Sequence, residues 1–104
     1  MIRKKSYDGV VETVRYSPEG KIRWVRAYER HGFVFTDHFL MDRETLLERL
    51  KAGKRFYTGE RQVYMGSDFT IKTPLRLVQQ AGQDYIVAGD ANGEQDRLEG
   101  VPII

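Results

Sequence analysis

Residues 7 to 16 and 21 to 30 interleave β-branched and aromatic residues with charged ones, and they flank Ser17, Pro18, Glu19 and Gly20. Alternation of this kind fits half-buried strands. Proline sets φ at the second turn position and glycine takes the left-handed conformation that closes a type I turn with a G1 bulge, so the segment reads as a β-hairpin. A three-residue loop sets Ser17 opposite Lys21. It predicts Tyr16 opposite Ile22, Val14 opposite Trp24, Glu12 opposite Arg26, Val10 opposite Tyr28 and Asp8 opposite Arg30 on one face. Apolar meets apolar and acid meets base, pairings that stabilise a hairpin by about 0.2–1 kcal/mol each. This register assigns Trp24 and Tyr28 to the core. The other face pairs Arg15 with Arg23, Thr13 with Val25 and Val11 with Ala27, and is smaller and more basic.

After Gly32, the stretch Phe33, Val34, Phe35 and Thr36, reaching Phe39 to Met41, predicts a third strand. Asp42 then has the chemistry of a helix N-cap, Glu44 suits the first turn, and Met41 can staple onto Leu46. Leu46, Leu47 and Leu50 share one helical face, and Gly53 suits the left-handed residue after the last turn, which predicts a helix over about 42–52. Short β-prone segments follow at Arg55 to Thr58, Gln62 to Met65, Phe69 to Lys72, Leu75 to Gln80 and Tyr85 to Ala88. They read as antiparallel strands. Ala81 to Asp84 reads as a hairpin turn, Pro74 as an edge, bend or strand start, and Gly89 to Asp96 as a polar loop. The expected fold is α+β and mainly antiparallel β. An N-terminal three-stranded meander, one helix and several short strands would curl into a small, partly open barrel.

A length of 104 residues with 40% hydrophobic and 31% charged positions fits one domain with a modest core. The absence of cysteine excludes disulfides, thiolate-bound zinc, iron–sulfur clusters and thiol catalysis. The charged start MIRKKSYDGV is unlike a secretory signal, and no apolar run approaches a membrane span, so a cytoplasmic location without membrane contact is expected. The net charge of +2 conceals a gradient. Residues 1 to 30 carry eight Lys/Arg against four Asp/Glu, whereas residues 67 to 104 carry three against six. Folding either mixes these segments into an ordinary surface or leaves one basic face.

The most informative chemistry lies in the basic, aromatic strand from Lys21 to Arg30 and in Lys54, Arg55, Phe56 and Tyr57. Cations hold phosphates and aromatic faces stack exposed bases, so this composition suits single-stranded nucleic acid. The candidate binding residues are Arg15, Lys21, Arg23, Lys54 and Arg55 for phosphate, with Tyr57 for stacking because it is less clearly committed to the core. Arg15 opposite Arg23 would repel across the hairpin unless an anion sits between them or their stems splay over Thr13 and Val25.

Catalytic chemistry has little support. His31 and His38 are an odd number of residues apart and would point to opposite faces of a strand; Asp37 and Asp42 could orient an imidazole only across strands. No spacing selects Ser6, Ser17 or Ser67 as a nucleophile. Asp90, Asn92, Gly93 and Asp96 resemble pieces of a calcium loop with the glycine misplaced, and a surface turn accounts for them. The pair Gly53–Lys54 lacks the flanking residues of a phosphate loop. The expected function is therefore a non-enzymatic binding module without cofactor or metal. The alternative is a protein-interaction or self-assembly module acting through the apolar tail Val101, Pro102, Ile103 and Ile104.

Overall fold

The computed structural model describes residues 7–32, 34–61, 69–89 and 95–104. Two strands, β1 (Gly9–Tyr16) and β2 (Ile22–His31), form the expected hairpin. Its turn closes through Ser17 N–H on the Lys21 carbonyl (2.7 Å) and Gly20 N–H on the Ser17 carbonyl (3.0 Å), with Gly20 at φ 83°. Next come β3 (Val34–Phe35), β4 (Phe39–Asp42) and the helix α1 (Arg43–Lys51). Asp42 caps α1 by accepting from Thr45 N–H at 2.9 Å, which holds its carboxyl below the usual carboxylate range. Gly53, at φ 88°, takes the left-handed conformation beyond the last turn. The anticipated third strand is split, because β3 and β4 both pair antiparallel with β2 at different points along it.

Four strands follow: β5 (Phe56–Arg61), β6 (Phe69–Gln80), β7 (Gln83–Ala88) and β8 (Arg97–Leu98). The segments expected at Phe69 to Lys72 and Leu75 to Gln80 are one strand, running through Pro74 next to a register shift against β5. Ala81 and Gly82, both at positive φ, close β6 onto β7 as a two-residue turn. The expected strand Gln62 to Met65 lies outside the described residues. Against the antiparallel expectation, β5 runs parallel to β1 and β8 parallel to β7, so the sheet is mixed. Its order is β3-β2-β1-β5-β6-β7-β8 with β4 also on β2, and among the described residues nothing pairs β8 back to β3. The sheet is not closed.

The hairpin departs from the expected register in its middle. Tyr16 opposite Ile22, Val11 opposite Ala27 and Val10 opposite Tyr28 pair as the turn dictates. Between them, Arg15 faces Trp24, Val14 faces Val25 and Thr13 faces Arg26. Arg23 is therefore an extra residue on β2 and Glu12 an extra residue on β1, two bulges whose offsets cancel. The expected pairs of Val14 with Trp24, Glu12 with Arg26, Thr13 with Val25 and Arg15 with Arg23 are not made. The physical reason is burial. Val11 and Val14, like Ile22 and Val25, are three residues apart, so an unbroken period of two would send one of each pair to the opposite face. One inserted residue in each gap brings all four into the same core.

That core occupies the inner face. Val11, Val14, Ile22, Val25, Ala27 and Met41 meet Leu46 of α1, Phe56, Leu75, Ile86, Ala88, Leu98 and Val101 there. Leu47 and Leu50 pack on its margin, as the helical spacing predicts. A second, smaller cluster lies on the outer face, where Tyr7, Val10 and Tyr28 are packed by Phe35, Tyr57, Phe69 and Ile71.

Asp96 fastens the two ends of the inner layer. Its carboxylate is fully buried and accepts from Ile22 N–H (2.7 Å), Ile86 N–H (2.9 Å) and the Arg43 guanidinium (2.7 and 3.2 Å). Arg43 also donates to the Asp84 carbonyl at 2.6 Å. The surface-turn expectation fails for Asp96, which ties β2, β7 and α1 together. Asp90, Asn92 and Gly93 lie outside the described residues.

Candidate functional site

The bulges decide what the outer face presents. Residues paired across strands share a face, so Arg15, Trp24 and Asp42 form one row and Thr13, Arg26 and Leu40 the next. This face lies opposite Val14, Val25 and Met41, and the aromatic cluster covers only its other half. Trp24 is half-buried rather than core, with the Arg15 guanidinium carbon 5.3 Å from its ring centre. Its indole Nε1 and the Thr13 hydroxyl are both buried without a hydrogen-bond partner. Leu40 is 58% exposed beside them.

Arg15 does not oppose Arg23, so the expected like-charge repulsion across the hairpin is not built into the fold. Arg23 sits exposed on its bulge and Lys21 exposed in the turn. Among the described residues neither joins an ion pair, nor does Arg26. Arg26 is a cation of this face that the sequence reading missed, having paired it with Glu12. The signal that would have found it is the three-residue apolar spacing, which implies the bulges.

Lys54, Arg55 and Tyr57 lie at the far end of β1, where Phe56 pairs with Gly9. Gly9 and Arg15 are separated by six residues of strand, or roughly 20 Å at 3.3 Å per residue, so the two basic groups do not converge. Acid accompanies the far group. Asp8 accepts from Arg55 N–H at 2.9 Å and pairs with Arg30 at 3.3 Å. The Arg55 main chain, followed by Arg30 and Lys54, holds the Asp8 carboxyl below its ordinary value against the opposing effect of burial. The expected contact between Asp8 and Arg30 is thus present. Tyr57 packs edge-on against Tyr7 at 6.2 Å and belongs to the aromatic cluster. That cluster extends through Tyr7 and Phe35 (5.6 Å), Phe35 and Phe69 (4.9 Å) and Phe69 and Tyr28 (5.0 Å). Burial pushes the Tyr28 phenol up.

The histidines are apart. His38 lies edge-on to Tyr28 at 5.9 Å, and His31 Nε2 is 3.7 Å from Glu29, whose other oxygen binds Arg49 at 2.7 Å. Among the described residues no group of three or more His, Asp or Glu could hold a metal ion. No described helix is long and apolar enough to cross a membrane. Ser6 and Ser67 lie outside the described residues.

A cleft of about 420 Å³ opens between the hairpin turn and residues 95–103, lined by Tyr16, Asp96, Leu98, Val101 and Ile103. The Tyr16 hydroxyl accepts from Leu98 N–H at 2.9 Å, and burial pushes its phenol up. The Asp96 carboxylate and the Tyr16 oxygen in the cleft lining already accept hydrogen bonds from the protein, and Gln95, Arg97 and Glu99 line it as well. No protein-family model, curated protein or solved structure matches the chain.

Proposed function

We propose that this chain is a small non-enzymatic binding module that takes single-stranded nucleic acid on the outer face of its sheet. The observation that carries this reading is the placement of Arg15, Trp24 and Arg26 side by side on the half of that face that the aromatic cluster leaves uncovered. An indole offers a stacking surface to any base, and flanking guanidinium groups neutralise phosphates and stack in their turn. Lys21 and Arg23 add charge at the hairpin end. Lys54 and Arg55 reach only a strand long enough to run the length of β1, with Tyr57 as the second stacking candidate there.

Fluorescence polarisation with a labelled oligonucleotide tests the idea. Binding should weaken with salt at a log–log slope of about −3, the value for four phosphates at roughly −0.7 each on a single strand. Trp24→Ala should cost about 1–3 kcal/mol of affinity through lost stacking. No binding at 50 mM salt eliminates the reading.

A second reading is assembly with another copy of the chain, favoured by the exposure of Leu40 and of the tail, where Ile103 is 70% and Ile104 40% exposed. Light scattering on the full chain and on a chain ending at Gly100 separates the two. An unchanged monomer in both overturns assembly through the tail.

A further inference from the structure

The C-terminal segment occupies the edge of β1 beyond its pairing with β5. Val14 N–H donates to the Pro102 carbonyl at 3.0 Å, Ile104 N–H donates to the Val14 carbonyl at 2.9 Å, and Ile103 bridges Val14 in parallel. Of residues 101–104 only Val101 is buried. Val101 N–H also donates to the Leu98 carbonyl at 3.3 Å, within the turn that precedes the segment. Two main-chain hydrogen bonds and one buried side chain therefore fasten residues 101–104 to the rest of the sheet, which places them at the low-stability end of the fold.

Its last residue also reaches the proposed binding face. Arg15 Nη1 donates to the Ile104 main-chain oxygen at 3.2 Å while the same guanidinium lies over Trp24. The tail therefore restrains the cation that covers the chain's one tryptophan. We infer that the C-terminal segment is an intramolecular competitor for Arg15, a regulatory device that rests on the nucleic-acid reading of the same face. A phosphate can take two parallel N–H groups of a guanidinium, whereas the Ile104 oxygen takes one from Arg15, so phosphate competes effectively for this side chain. Drawing Arg15 toward phosphate uncovers the indole for a base. Ligand affinity is lowered by the free energy of the tail contact, and bound ligand loosens the tail by the same amount.

The experiment compares the full chain with one ending at Pro102, which loses two exposed residues but keeps the buried Val101 and the acceptor for Val14 N–H. Ile104→Pro, which removes the donor to the Val14 carbonyl without shortening the chain, is the second variant should the truncated chain fold poorly. Acrylamide quenching of Trp24 without ligand is expected to rise in either variant. Affinity for a labelled deoxythymidine decamer is expected to rise about threefold to tenfold, the range of the net contribution of one ordinary hydrogen bond. Neither gain should appear when the tail is altered in an Arg15→Gln background. Unchanged quenching overturns the restraint. Increased quenching with unchanged affinity overturns the competition. Increased quenching with no decamer binding by any of the chains overturns the nucleic-acid reading and the competition with it, leaving the restraint alone standing.

Discussion

The two faces of the hairpin are built from the same strands and obey opposite rules. On the inner face Val14, Val25 and Met41 are buried, and Asp96, the one buried charged residue among those described, has its oxygens filled by two backbone amides and a guanidinium. On the outer face, at the same level of the sheet, Arg15, Trp24 and Arg26 belong to neither apolar cluster of the described residues, and the buried Trp24 Nε1 and Thr13 hydroxyl have no hydrogen-bond partner there. A polar group costs little inside when fully satisfied and a good deal when it is not. The inner face is thus organised for stability. The outer face leaves two buried polar atoms, Trp24 Nε1 and the Thr13 hydroxyl, without that compensation.

The sharpest way to break this contrast is to remove the inner charge. Asp96→Ala strips Arg43 of its carboxylate partner, leaving it only the Asp84 carbonyl, removes the Asp96 acceptor from the Ile22 and Ile86 amides, and should cost about 3–5 kcal/mol in urea unfolding. A loss near zero would mean that Asp96 is not what holds the layer. Next in size is Gly59→Ala on β5. A Cβ there would overlap the Thr70 carbonyl of the adjoining strand, and backbone cannot swing aside as a side chain can. The expected loss is about 1–3 kcal/mol, as for other overpacked sites.

The outer face should respond the other way round. Arg26→Gln should leave stability within about 0.5 kcal/mol, as surface substitutions do. It should also weaken oligonucleotide binding across all sequences and reduce the magnitude of the salt slope by about 0.7. A stability loss comparable with that of Asp96→Ala would place Arg26 among the structural residues.

The smallest effect concerns pH. Because the Asp8 carboxyl is held below its unfolded value, chiefly by the Arg55 main chain, its contribution is present above about pH 4 and is lost as the pH falls through the lower folded value. Asp8→Asn should flatten the acid limb of an unfolding profile and leave the slope above pH 5 unchanged.

Much of the secondary structure was legible because its causes are local. Ser17 to Gly20 turns the chain with its own backbone chemistry, Asp42 caps the helix that follows it, and Leu46, Leu47 and Leu50 face one way because a helix repeats every 3.6 residues. The candidate site was only half legible. Arg15, Lys21 and Arg23 all belong to the turn end of the hairpin, but strict alternation from the turn sends Trp24 inward, sets Arg15 opposite Arg23 and pairs Arg26 with Glu12, none of which the register contains. The spacing of Val11 to Val14 and of Ile22 to Val25 carried the correction, and it acquires meaning only once both pairs are required in one core.

What the chain determined alone, then, is its punctuation: a hairpin turn, a capped helix, a second tight turn at Ala81 and Gly82, and the strand-forming stretches between them. Tertiary structure decided which strands meet, β1 parallel to β5 and the C-terminal segment alongside Val14, and it decided through two bulges which side chains look outward. The division follows from range. Turns and caps are settled by atoms a few residues apart, whereas register and facing are settled by the burial of valines whose partners lie on other strands, and no short stretch of sequence contains both sides of that contact.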